Sequence, residues 1–176
     1  MPDSVQGGLD DLAYDYEADS TITIVSNDGE KFPIARSVAM MSQYIKSCLE
    51  LDQDNRTIPL KDIEGSVLKP IIEWMVYHSS TPSREIARPL RTANLVEVVG
   101  LWDAEFIEAI NLELTFKVLL AANYLNLQNL LELCCAKIAS LMLGKTPKQI
   151  RSTFNIKDDF TPEEESQIRQ EFAEFL

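Results

Sequence analysis

The sequence predicts an α/β domain continued by a helical extension, and three observations carry that reading. Thr21-Ile22-Thr23-Ile24-Val25 alternates polar and apolar residues like a half-buried strand. Asn27-Asp28-Gly29 then supplies turn chemistry, and Lys31-Phe32-Pro33-Ile34 can return antiparallel to the first run. From Leu112 to Glu165 the pattern turns helical throughout, in segments marked off by their own start and stop signals.

Composition narrows the class. With 176 residues, 45% hydrophobic and 25% charged, the chain resembles an ordinary globular protein with a sizeable core. No run approaches the 18 or so apolar residues of a membrane span. The start of the chain lacks the basic residues and apolar stretch of a secretory signal. Cys48, Cys134 and Cys135 are odd in number, and they read as reduced, buried thiols of a cytoplasmic and nuclear protein. A net charge of −12 disfavours nucleic acid and anionic membrane as partners and leans weakly toward basic ones.

Taken in order, residues 1–20 carry acidic side chains, no basic ones and adjacent glycines, which reads as a disordered acidic tail. Its Leu9, Leu12, Tyr14 and Tyr16 are the residues that could dock. Pro33 places the second strand at an edge or keeps it short. Arg36 to Leu51 reads as one or two short helices with Val38, Met41, Ile45, Cys48 and Leu49 inward, and Arg56 to Leu60 as a third strand. Val67 to His78 is helical, with Ser66 a candidate cap and Pro70 just past the first turn, where it removes a backbone bond. Ser79 to Leu101 is polar, with prolines, arginines and a short apolar patch at Leu95 to Val99, and reads as a long surface loop. Trp102 to Phe106 re-enters the fold, with Trp102 packed on the core.

Leu112 to Leu125 is apolar nearly all round, as in a helix buried on most sides. One face, however, repeats Glu113, Lys117, Leu120 and Tyr124, and its charges turn it outward, leaving Leu120 and Tyr124 exposed beside Asn123. Asn126 is a candidate cap for the next helix, which runs to Leu143, and Gly144 sits where a left-handed residue ends it. Thr146-Pro147-Lys148-Gln149 and Thr161-Pro162-Glu163-Glu164 are capping boxes with proline at the first helical position, so two further helices start there.

The helix ending at Leu143 has more apolar surface than one core needs. At about 100° per residue, Leu127, Leu130, Leu131, Cys134, Cys135, Ile138, Leu141 and Met142 cover an arc of about 140°, against about 100° for an ordinary surface helix. Periodicity alone is met by deeper burial. The alternative is that the edge made by Leu131, Cys135, Ile138 and Met142 stays free for another protein's helix once Leu130, Cys134 and Leu141 have packed.

Sites for bond-making chemistry are poorly supported. Gly144-Lys145-Thr146 resembles the end of a phosphate-binding loop, but Ala139 stands where that motif needs glycine, and a helix precedes it rather than a strand. His78 is the sole histidine, with no metal-ligand spacing around it. Cys134 and Cys135 point about 100° apart on a helix and suit one ion poorly. Acidic residues at 158–159 and 163–165 lack calcium-loop spacing and suit helix starts, where the dipole favours negative charge. No cofactor, no metal and no enzymatic activity are expected.

Several runs resemble one family closely. A-A-N-Y-L-N at Ala121 to Asn126 and the long G-K-T-P-K-Q-I-R-S-T-F-N-I-K-D-D-F-T-P-E-E-E at Gly144 to Glu165 resemble the S-phase kinase-associated protein 1 family, adaptors of SCF (adaptor, cullin, F-box) ubiquitin ligases. I-P-L at Ile58 to Leu60, the run from Leu68 to Trp74 and W-D-A-E-F at Trp102 to Phe106 match as well, and the likeness covers about Thr21 to Arg169. It implies a BTB/POZ domain over 21–126, a three-stranded sheet flanked by helices with 79–101 as its surface loop, and a C-terminal F-box-binding extension over 127–176.

The resemblance also implies partners. A cullin N-terminal domain would meet Asn123 and Tyr124, with Leu120 on the same face. F-box helices of a substrate receptor would meet Phe116, Leu131, Cys135, Ile138, Met142, Ile150, Phe154, Ile156 and Lys157, and Phe175 would stand in for the family's terminal tryptophan. Pro162 matches a proline that is hydroxylated and glycosylated in some protist relatives. The uncovered strip would also let the isolated chain form a homodimer. Three departures stand out: residues 79–101 are mildly basic rather than acidic, Thr115 replaces a leucine of the F-box contact, and the chain ends in Phe172-Ala173-Glu174-Phe175-Leu176. The alternatives weighed against this adaptor are an F-box-binding stabiliser without a cullin and a scaffold like elongin C, which lacks the 146–176 extension.

Overall fold

The computed structural model describes residues 20–52, 54–157 and 159–172. The expected acidic tail, apart from Ser20, and Phe175 lie outside these residues.

Strand β1 (Thr21–Val25) pairs antiparallel with β2 (Lys31–Ala35), Ile24 opposite Phe32, and parallel with β3 (Thr57–Pro59), Ile24 opposite Ile58. The sheet order is β2-β1-β3, so Pro33 does sit on an edge strand, where its missing N–H costs no ladder bond. Ile22, Ile24, Ile34 and Ile58 face one way into the core, as the alternation requires. The hairpin closes through Ser26 and Glu30, with Gly29 at φ +83°, a conformation that glycine adopts without strain.

Two short helices follow, α1 (Arg36–Ala39) and α2 (Gln43–Leu51), and Ser42 caps the second by accepting from Ile45 N–H. Helix α3 (Gly65–His78) starts earlier than expected, and Ser66 is not its cap. Instead Asp28, in the β1–β2 turn, accepts from Gly65 N–H at 3.0 Å. Hydrogen bonds from Ser26 and Gly65 hold the Asp28 carboxyl below its ordinary pKa. Pro70 lies inside α3 and is buried, so the bond it forfeits is one near the helix start.

The stretch expected to be loop from 79 to 101 is partly helical. Asn94 caps α4 (Leu95–Val99) by accepting from Val96 N–H, and Leu95 and Val99 reach the core. Gly100, at φ +92°, breaks the chain between α4 and α5 (Leu101–Ala109), the helix that the sequence read only as a re-entry. Trp102 is sandwiched between Tyr77 and Phe106 with ring centroids 3.6 and 5.2 Å away.

Behind this stack, buried Asp103 accepts from Trp74 Nε1 at 3.1 Å and faces His78 Nε2 at 3.0 Å, joining α3 to α5. His78 Nδ1 donates to the Thr81 carbonyl at 2.7 Å. Truncating Asp103 strands an indole N–H in a dry site, so Asp103→Ala is expected to cost about 3 kcal/mol. In a chain of this size that lowers the melting temperature by on the order of 10 °C, which calorimetry reads directly.

The remaining helices are α6 (Leu112–Tyr124), α7 (Gln128–Met142), α8 (Pro147–Thr153) and α9 (Pro162–Glu171). Both capping boxes form as expected, with Thr146 and Thr161 accepting from the third residue of their helices. Asn126 does not cap α7: it is left-handed, at φ +54°, and ends α6. Leu127 N–H reaches back to Ala122 and Asn126 N–H to Asn123, the paired bonds of a helix-terminating turn that asparagine can make. Asn155 ends α8 in the same way, at φ +53°. Gly144 ends α7 at φ +70°, as expected.

Candidate functional site

Two surfaces carry the residues singled out in the sequence. The first lies at the C-terminal end of α6. Asn111 starts that helix by accepting from Leu114 N–H at 2.8 Å. Its inward side is Thr115, Val118, Ala121 and Ala122, whose small side chains seat it closely on α3 and α7. The expectation of burial on most sides therefore fails. Phe116, Leu120 and Tyr124 point outward, 41%, 67% and 41% exposed, because the core takes only the narrow, small-residue stripe.

Tyr124 is held in place. The carbonyl after it, on Leu125, accepts from the Ser42 hydroxyl at 2.6 Å, pinning the end of α6 to the start of α2. Tyr44 thereby meets Tyr124, ring centroids 4.8 Å apart. A hydrogen bond with Tyr124 and partial burial push the Tyr44 phenol up to about 12. No local pattern marks Tyr44, since its partner lies far away in the chain. Asn123 is exposed beside the pair, and Lys117 reaches Glu64 at 3.4 Å along the same face.

The second surface runs from α7 into α8 and α9. Leu130, Leu133, Cys134, Ala136 and Lys137 face inward and are buried. Burial pushes the Cys134 thiol up to about 12. Lys137 was not foreseen as an interior residue. Its ammonium donates to the carbonyls of Ile107 and Ile110, completing the C-terminal end of α5, where a cation is favoured. Burial lowers its pKa from the usual lysine value.

On the other edge of α7, Leu131 and Ile138 are half-buried, while Cys135 and Met142 are exposed, Met142 by 42%. The described segments leave the seam at least half open, and Cys135 is not the buried thiol expected. The seam continues past the helix. Phe154, just past α8, meets Phe116 edge-to-face at 6.3 Å, Ile150 is half-buried, and Ile156 and Lys157 are exposed.

Leu143, Phe160, Ile168 and Phe172 are exposed as well, and the sequence did not single them out for this surface. Among the described side chains of α8 and α9 none is buried. Arg151 and Glu165 link the two helices at 3.1 Å. Thr115, where the F-box contact was expected to be weakened, is instead buried and donates to the Asn111 carbonyl at 2.8 Å, so it faces the core. Pro162 is exposed at the first position of α9.

Among the described residues, no group of histidine, cysteine and carboxylate side chains could hold a metal ion, and no helix is long and apolar enough to cross a membrane.

Comparison with known proteins bears on the family and the fold. Residues 20–80 match the Skp1 family tetramerisation domain, and residues 128–174 match the Skp1 family dimerisation domain. The chain is 44% identical over 150 residues to the S-phase kinase-associated protein 1 homolog of Tetrahymena thermophila, covering 85% of this chain and 90% of that one. It is 40% identical over 155 residues to the E3 ubiquitin ligase complex SCF subunit sconC of Aspergillus flavus, covering 88% and 95%. With SKP1-like protein 1A of Arabidopsis thaliana the identity is 39% over 150 residues, covering 85% and 93%. The mixed three-stranded sheet, its flanking helices and the helical C-terminal part form an α/β BTB/POZ fold with an extension. On motif, architecture and identity across most of its length, the chain belongs to the S-phase kinase-associated protein 1 family.

Proposed function

We propose that the chain is a non-catalytic adaptor of an SCF-type ubiquitin ligase, working in the cytoplasm and nucleus. One surface would hold an F-box substrate receptor, the other a cullin N-terminal domain. The observation that carries this reading is the apolar seam over α7, α8 and α9. Helices with no buried side chains of their own gain little by folding against this chain alone, and they are stabilised when a partner covers them. A largely apolar interface of this type, burying on the order of 2,000 Å² or more, gives a long-lived complex. The Leu120, Asn123 and Tyr124 surface is smaller and more polar, and would act through a few anchors.

The two surfaces belong to one packed unit. Helices α6 and α7 pack directly on each other, so a receptor on one and a cullin on the other are held at a fixed separation. Positioning, with no bond made or broken by this chain, is then its contribution to ubiquitin transfer.

The test is reconstitution. The full chain, an F-box domain and a cullin N-terminal domain are mixed and resolved by size. Co-elution of all three supports the adaptor. A complex with the F-box domain that never takes up cullin favours the stabiliser without a cullin instead.

A further inference from the structure

The segment between α3 and α4 does not simply loop into solvent; part of it is strapped against α7. Asn129 Nδ2 donates to Ser83 Oγ at 2.7 Å, and Arg88 pairs with Glu132. Gln128 Nε2 donates to the same Glu132 oxygen at 2.8 Å. These bonds, Gln128 first and then Arg88, hold the Glu132 carboxyl below its ordinary pKa. Ile86 and Leu90, either side of this pin, pack against the core.

Strap and helix leave a groove of about 590 Å³ between them. Its floor is deep because Ala136 and Ala139 are small, and Leu131 and Cys135 form its near lip. Those two are also seam residues. At about 100° per residue, the seam positions and the groove positions occupy adjoining arcs of α7, so a helix laid along the seam has one edge over the groove. The polar groups at one end, Arg88, Glu132 and Gln128, satisfy one another and call for no charged occupant.

We propose that residues 86–90 add a second wall to the receptor seam, and that the groove takes one large apolar side chain, aromatic or leucine, from the edge of a docked receptor helix. This rests on the seam being the F-box surface, with which the groove is continuous. The strap becomes a specificity element. A receptor with alanine at that position would leave a void, and one with a charge would bury it unpaired.

The test uses the full chain as bait for phage-displayed F-box domains randomised along their exposed helix positions. The wild-type chain is expected to enrich Phe, Tyr, Trp or Leu at one such position by about tenfold or more. Ala139→Phe fills the groove from its floor and should abolish that preference while still recovering binders. Arg88→Glu, an exposed change that repels Glu132 and opens the strap, should abolish it independently if the first variant folds poorly. Enrichment that is identical on the wild-type and both variant baits overturns the proposal, as does the absence of any size preference. Met142→Glu separates the two levels. If that bait recovers the same domains as the wild type, the seam reading itself is wrong. If it recovers none while Ala139→Phe leaves the preference intact, the seam stands and the groove assignment falls.

Discussion

Met142→Glu is expected to abolish F-box binding while leaving the chain folded. Met142 is 42% exposed on the free edge of α7, one turn beyond Ile138, so a carboxylate there meets water in the unbound chain. Surface changes of this type usually alter stability by less than about 0.5 kcal/mol. In the complex the same carboxylate would be enclosed by apolar side chains with no donor facing it. That costs several kcal/mol, and each 1.4 or so is a factor of ten in affinity, so the loss should exceed about 100-fold. Titration calorimetry against an F-box domain, beside a melting curve, reads both quantities. A parallel loss of fold would mean that Met142 is core; unchanged binding would remove the seam from the receptor contact.

Tyr124→Ala is expected to do the converse, weakening cullin binding while sparing the F-box complex. A well-packed interface tyrosine is worth about 2–4 kcal/mol on truncation, roughly 30- to 700-fold in affinity. Tyr124 suits that role because it does not have to be ordered on binding. The Ser42 hydroxyl holds the end of α6, and Tyr44 lies against its ring. Tyr44→Phe, which keeps the ring and removes only the hydroxyl, should cost far less, about 1 kcal/mol. A Tyr124→Ala chain that binds cullin as well as the wild type would move the cullin contact elsewhere on the molecule.

How much of this was legible depended on how local the signal was. The hairpin, the edge proline and both capping boxes were readable, because each is set by residues within a few positions of one another. Helical arithmetic showed the excess of apolar surface on α7, a property of that helix alone, but deeper burial met the same pattern, and it took the family resemblance to favour a free edge. Asn126 misled because asparagine serves equally as a helix start and as a left-handed helix end, and only the bond from Leu127 N–H back to Ala122 decides between them. Gly100 obscured α4 and α5 by punctuating two short helices, so that the first read as part of a loop and the second only as a re-entry.

Long-range partners left no trace in sequence. Asp28 replaces Ser66 at the start of α3, Lys137 closes α5, Asp103 bonds Trp74, and Tyr44 supports Tyr124. Each is a polar or aromatic side chain whose role is fixed by an element far away in the chain. The strap at 86–90 belongs with them, because its apolar residues are too few to show a period.

The most direct measurement is the reactivity of Cys135, which lies on the seam between Leu131 and Ile138. Its neighbour Cys134 is buried, with a thiol pushed up to about 12, and serves as the internal unreactive control. Maleimide labelling, with each cysteine located by fragmentation mass spectrometry, should modify Cys135 readily in the free chain and leave Cys134 untouched. Saturating F-box domain should then shield Cys135. A Cys135 that resists labelling in the free monomer, or one labelled equally fast in the complex, contradicts a seam left open for the receptor.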